Sequence, residues 1–330
     1  MKSVPIVGLA SVNTAVVRSS QKDRSQVKAS LGFAAALVAN ILWGASFIAS
    51  KETLEAWGPL GASALRFALA SLLLAVGLAL AGRRVEAPKT PRAWARVASV
   101  AVVGFGLLYP VQLAGLKFVS SGFSAAIMLT SPLFVILGGA AFLGEGFSRH
   151  KLAAIGLGIV GGLVLLGESV WGLSSQGSEF LIGTGLTLAA SLCLAASVLL
   201  TRRASADLDA GSLTFWTMFL GAALIGACAS IFEPEFSISS IQGASLKAWG
   251  ALAFLAVVCS ALCFFLWNFA LSKASPKEIA STMHLKTPTA ILLGCVIASE
   301  SVTASLVAGT ILVSFGVYLS QKKDAGGKRS

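Results

Sequence analysis

The sequence predicts an all-α integral membrane protein of ten transmembrane helices, built as two inverted five-helix repeats with both termini cytoplasmic. Three observations predict it. Hydrophobic residues make up 56% of the chain and charged residues only 12%, about half the ~25% charge of a soluble domain, and the mean hydropathy is +0.84. Runs of roughly 20 apolar residues, the length of a bilayer-crossing helix, recur along the whole chain. A composite segment also occurs twice. Leu129-Thr130-Ser131-Pro132 leads through an apolar stretch to Gly144-Glu145, and Leu285-Lys286-Thr287-Pro288 leads through another to Ser299-Glu300. Each copy falls within the last two runs of a block of five. An odd number of crossings turns the second block upside down, and secondary transporters use such inverted repeats to alternate access around one central site.

Residues 1–30 are serine-rich and basic, and their apolar stretch Val4–Val17 is too short to cross a bilayer. They read as a disordered cytoplasmic tail, with a transit or signal peptide as the alternative. The first repeat, 31–167, holds runs at Leu31–Ser50, Leu60–Gly82, Val97–Leu116, Gly122–Leu143 and Leu152–Gly167. The second, 181–320, holds Leu181–Thr201, Leu213–Phe232, Gly250–Leu271, Glu278–Ala298 and Thr303–Ser320. None alternates in the long pattern of a membrane β-barrel. Residues 321–330 form a basic, disordered tail. In the fifth run, Gly156-Leu157-Gly158-Ile159-Val160-Gly161 matches a dinucleotide fingerprint, but it lies inside an apolar helix with no preceding strand. Its backbone amides are committed to the helix, so no phosphate-binding turn forms there. Gly158 and Gly162 read instead as a small-xxx-small packing face within the chain, a homodimer contact being the alternative.

The net charge of +11 is a matter of topology, with no nucleic-acid partner expected. With the N-terminus inside, 20 of the 25 basic residues fall in inner segments, and only Lys51, Lys117 and Lys247 in outer loops. That asymmetry orients the chain by the positive-inside rule and supports the count of ten. The five cysteines all lie within runs, so no disulfide framework is implied. Cys259 and Cys263 stand four residues apart without a partner histidine or third cysteine, which is too few ligands for zinc. No metal, cofactor or catalytic residue is expected. His150 and His284, the two histidines, do not make the Asp/His cluster or metal set that a membrane enzyme needs.

Lipid cannot hydrogen-bond polar side chains, so helices in a bundle turn them inward. Asn40, Trp43, Phe47 and Lys51 fall on one stripe of the first run. Tyr109 and Gln112 share a face of the third. Ser260, Cys263 and Trp267 share one of the eighth, with Asn268 beside it, and Thr184, Thr187 and Ser191 share one of the sixth. For each of these, substrate contact and interhelical hydrogen bonding are the two readings. Aromatics with amides suit an organic substrate with apolar and polar parts.

Charges inside runs point more sharply at function. Lys286 lies ~12 Å from the inner end of the ninth run, counting 1.5 Å per residue. It precedes Pro288, whose missing amide can hinge the helix, as Pro132 can in the fourth run. Lys286 is expected to bind the anionic group of the substrate, the alternative being a structural bond to carbonyls. Arg66 lies only ~9 Å from the outer end of the second run; it is expected to snorkel there, with binding of the substrate as the alternative. His284, ~200° around the helix from Lys286 at 100° per residue, is either a proton-coupling group or a neutral, hydrogen-bonded one. No Asp or Glu stands in mid-run.

Several segments together resemble the drug/metabolite transporter superfamily, in its EamA-domain branch, over about residues 31–320. They are Leu42-Trp43-Gly44-Ala45-Ser46-Phe47, Leu65-Arg66-Phe67, the pair Ala114-Gly115-Leu116 and Phe269-Ala270-Leu271, and the Pro132…Glu145 and Pro288…Glu300 segments. The resemblance implies a central cavity lined by spans 1–4 and 6–9, with spans 5 and 10 outside it. It also implies an exporter of a small polar or amphipathic metabolite, an amino acid or a related carboxylate or phosphate compound. A lipid-carrier flippase and, less so, a membrane enzyme are the alternatives. The bilayer and a small-molecule substrate are the expected partners. A bacterial inner membrane is the expected location, or an organelle membrane if residues 1–30 are a transit peptide.

Overall fold

The structure, a computed structural model, describes residues 7–143, 148–170, 177–273 and 282–321, and these are helices and short connections with no strand among them. Among the described residues ten longer helices run in chain order: α1 (Val7–Thr53), α2 (Pro59–Leu80), α3 (Pro91–Leu116), α4 (121–143), α5 (Arg149–Val170), α6 (Gly177–Ala204), α7 (Ala210–Phe232), α8 (246–273), α9 (Met283–Ala298) and α10 (Ala304–Ser320), with a short helix, Ile238–Gln242, between α7 and α8. Among the described residues, α1 to α8 are long and apolar enough to cross a membrane, while α9 and α10 are shorter apolar helices. The first part of the expected ninth span, 278–281, lies outside the described residues.

Local chemistry sets the starts. The side chains of Thr90, Ser120, Asp209, Ser245 and Thr303 accept from backbone amides of the first turns of α3, α4, α7, α8 and α10. Burial pushes the Asp209 carboxyl up. Hydrogen bonds from Ser212 and Gly211, with the Arg83 guanidinium nearby, outweigh that and hold it below the usual range.

Three features of the helices have physical causes. First, helix continues from Val7 into α1 without a break, where a disordered tail is expected. No proline interrupts residues 6–53, and Ala, Val, Ser and Gln predominate over glycine there. Second, α4 is broken at Leu129-Thr130 and restarts at Ser131, and α9 opens with a 3-10 turn at Met283–Leu285 before Lys286. A proline ring clashes with the carbonyl four residues back, so Pro132 and Pro288 each sit in the first turn after the irregularity rather than inside a regular helix. Third, α3 and α8 each contain a π-helical stretch, Ala101–Leu107 and Phe254–Leu262. These end 155 residues apart, the same offset that separates Leu116 from Leu271.

The helices pack in a regular pattern. α5 lies along α10, and α2 along α7. α1 packs on α8 and α9, while α6 packs on α3 and α4. At the α5–α10 contact a Cβ at Gly309 would stand 2.8 Å from the Gly161 carbonyl, so the backbones approach as only small residues permit. The packing glycine of α5 there is Gly161. Gly162, expected on that face, has nothing within 4 Å of its Cβ position, because it points about 100° around the helix from Gly161.

Candidate functional site

The α1 stripe faces α8 and α9 along its whole length. Asn40, fully buried, donates from Nδ2 to the Ala36 carbonyl (2.9 Å) and to Thr282 Oγ1 at the start of α9 (3.0 Å). Trp43 donates from Nε1 to the Cys259 carbonyl on α8 at 2.8 Å. Its ring packs 5.3 Å from Trp267 and edge-on to Phe264 at 5.9 Å. The Phe47 ring lies 5.6 Å beneath the Lys286 ammonium. Lys51 reaches Glu300, beyond the end of α9, at 2.8 Å. Between these contacts Gly44 lets the two helices meet: a Cβ there would stand 2.5 Å from the Lys286 carbonyl.

Arg66 overturns the snorkelling expectation. It is 6% exposed. Its guanidinium carbon stands 5.1 Å from the centroids of both Phe67 and Tyr109, and Nε donates to Ser260 Oγ on α8 at 3.3 Å. Tyr109 in turn packs against Phe67 at 4.5 Å and Phe105 at 5.9 Å. An aromatic box with a hydroxyl partner replaces water around the cation, worth up to ~2 kcal/mol for a desolvated cation–π contact. Tyr109, beside Arg66, and Phe47, beneath Lys286, pack in one apolar cluster, which brings the two cations to the same part of the bundle. Two cations and the rings of Trp43, Phe47, Tyr109 and Trp267 thus form one cluster among α1, α2, α3, α8 and α9. No carboxylate pairs with either cation among the described residues.

Other expected residues are placed less centrally. Gln112 is buried on α3 beside Leu113, one turn beyond Tyr109. Thr184 and Thr187 bond back to carbonyls of their own helix, and Ser191 meets Thr130 at 3.0 Å, which is helix packing. Thr130 occupies in the first copy the place that Lys286 holds in the second. Cys263 contacts the Ala39 carbonyl. His284 does not show the satisfied hydrogen bonds expected of a neutral histidine: neither ring nitrogen has a partner among the described residues. The Asn268 side chain and Glu145 lie outside the described residues.

The sequence missed two carboxylates. Glu233, after α7, accepts from the Leu60 and Gly61 amides at 2.9 and 2.8 Å, closing the start of α2. Glu300, after α9, accepts from the Ser121 amide at 2.9 and 3.0 Å, closing the start of α4. Each joins the end of a second-half helix to the first turn of a first-half helix, where backbone amides and the helix dipole favour an anion. Of the two, only Glu300 was marked by the duplicated segment; their partners, some 170–180 residues away, carry no local signal.

Comparison with known proteins agrees with this architecture. A solved crystal structure superimposes on 90% of this chain and 96% of its own with a TM-score of 0.63 at 20% identity, a likeness of fold. An uncharacterized transporter of Archaeoglobus fulgidus is 26% identical over 85% of this chain and 95% of its own length. The uncharacterized inner membrane transporter YedA of Escherichia coli is 26% identical over 88% and 93%. A chloroplastic WAT1-related protein of Arabidopsis thaliana is 27% identical over 84% of this chain and 66% of its own. Residues 30–167 and again 181–321 match the EamA-like transporter family. The chain is a multi-pass membrane transporter, and it belongs to the EamA-like family of the drug/metabolite transporter superfamily.

Proposed function

We propose that the protein moves a small organic anion across the membrane by alternating access, in the direction of export, with Lys286 and Arg66 receiving the anionic group. The observation that carries this is the pairing of a buried arginine with a partly buried lysine, with no acid beside either among the described residues. Like charges held together in a low-dielectric site are costly, and a substrate carboxylate or phosphate would relieve that cost when it binds. The rings of Trp43, Tyr109 and Trp267 offer packing for the apolar body of an amino acid or related metabolite. Lys286 follows directly on the irregular turn that opens α9, so it sits where backbone can rearrange.

The inverted-repeat reading is supported by the pairing of helices. Exchanging α1–α5 with α6–α10 leaves the pattern unchanged: α1–α8 becomes α6–α3, α1–α9 becomes α6–α4, and α2–α7 and α5–α10 map onto themselves. A two-fold axis in the membrane plane accounts for this together with five crossings per half.

Two experiments test the proposal. Purified protein in proteoliposomes is expected to take up amino acids, other carboxylates or phosphorylated metabolites saturably, with lipid-linked compounds inert. Transport confined to neutral or cationic solutes would end the anion reading. For topology, single cysteines placed in a background lacking the native five are read with an impermeant thiol reagent on intact cells. Positions 89 and 323 are expected to be shielded and 176 labelled (176 and 323 lie outside the described residues). The opposite pattern would reverse the orientation.

A further inference from the structure

A groove away from the cationic–aromatic cluster lies where the start of α3 meets the end of α6. It is lined by Arg92, Ala95, Arg96, Ser99, Leu200 and Arg203. Arg96 is committed within the protein, bonding Asp207 at 2.8 Å and the Arg203 carbonyl at 3.4 Å. Arg92 and Arg203 are exposed, and neither has a carboxylate partner among the described residues. The groove therefore presents two unpaired guanidinium groups side by side, held on rigid helices and braced by a third that is already neutralised.

The depth of the groove is marked by its neighbours. Trp94, between Arg92 and Arg96 in sequence, packs edge-on against Trp216 at 5.0 Å, and Trp216 donates from its indole to the Glu86 carbonyl at 2.9 Å. Phe215 and Phe219 adjoin Trp216. Indoles with one wet edge and one apolar face collect at the membrane–water boundary. Farther along the same two helices, toward their middles, Val102, Leu192 and Val198 are exposed apolar surface. The charged groove thus sits at headgroup level with an acyl-compatible face beneath it.

We propose that this groove binds the phosphate of an anionic phospholipid, Arg92 and Arg203 gripping the phosphate oxygens while the acyl chains lie along α3 and α6. Planar guanidinium forks match phosphate oxygens in pairs, and basic pockets between membrane helices suit anionic headgroups. The site is separate from the transport cluster and does not depend on what that cluster carries.

The test uses full-length protein, delipidated in a neutral detergent, and its melting midpoint. Short-chain phosphatidylglycerol at ten times its Kd is expected to raise the midpoint by roughly 3 °C. Short-chain phosphatidylcholine and inorganic phosphate at the same concentration are expected to do nothing. The Arg92→Gln/Arg203→Gln double variant should melt like the parent without lipid, since both residues are exposed and unpaired, and should lose the shift. Arg84→Gln, an exposed arginine outside the groove, should keep it. A shift retained by the double variant would overturn the site. An equal response to inorganic phosphate would overturn the lipid as its occupant. If the double variant does not fold, each single variant is expected to lower the lipid affinity at least fivefold, and unchanged affinity in both would equally overturn the proposal.

Discussion

Lys286→Ala is expected to abolish transport by reconstituted protein while moving the melting midpoint by no more than about 3 °C. Among the described residues the ammonium rests on the Phe47 ring and has no hydrogen-bond partner. That contact contributes at most ~2 kcal/mol, and removing the charge also removes its repulsion with Arg66 and its burial cost. Losing a charge-assisted bond to a buried substrate anion costs about 2–5 kcal/mol, or some 30- to several-thousand-fold in affinity. Lys286→Arg is expected to rescue poorly, because a rigid planar fork does not fit where a point charge on a flexible stem did. A lysine that merely braced the fold would behave oppositely: the alanine variant would melt early, and the folded remainder would still transport. An alanine variant with normal stability and normal transport would remove Lys286 from the mechanism altogether.

The second large effect is on stability. Glu300→Ala is expected to destabilise the protein by about 2–4 kcal/mol, seen as a melting midpoint lower by roughly 4–8 °C. The carboxylate is one-tenth exposed, and the change strips the Ser121 amide of its acceptor and Lys51 of its partner at once. Glu300→Gln keeps an acceptor for the amide but loses the charge, and should fall between. Lys51→Met should cost under ~1 kcal/mol, because that side chain is 40% exposed and solvent screens such pairs. The ordering separates the two roles of one carboxylate. If Lys51→Met were as damaging as Glu300→Ala, the ion pair rather than the closure of α4 would be what holds these helix ends together.

What could be read from the sequence follows from the range of the forces involved. Ten apolar runs need only local hydropathy, and the α1 stripe needs only a 3.6-residue period. Among the described residues eight of the runs are helices long and apolar enough to cross a membrane and the last two coincide with shorter apolar helices, while the α1 stripe packs on α8 and α9. The duplicated proline segments likewise marked where α4 and α9 lose regularity. Arg66 shows the limit. Its distance from the helix end argued for escape to water, but Tyr109 and Ser260 stand 43 and 194 residues away, and no periodicity within α2 announces them. Glu300 was visible as the acid that ends the second copy of the duplicated segment and Glu233 was not singled out, yet what either one closes is set by tertiary packing alone. Gly162 fails for a smaller reason: the contact falls on its neighbour Gly161, which points about 100° away around the helix.

The π-helical stretches carry information about ancestry. A π turn is the trace of one extra residue accommodated inside an α-helix. Remove it and everything beyond rotates by about 100°, which in α3 would swing Tyr109 away from Arg66 and in α8 would turn Phe264 and Trp267 away from Trp43. Both copies of the family segment hold this irregularity at the same offset. The family segment is matched twice along the chain, and one insertion made before its duplication would account for both stretches with one event instead of two. The register that aims these aromatic side chains is then older than the two-part molecule that uses it.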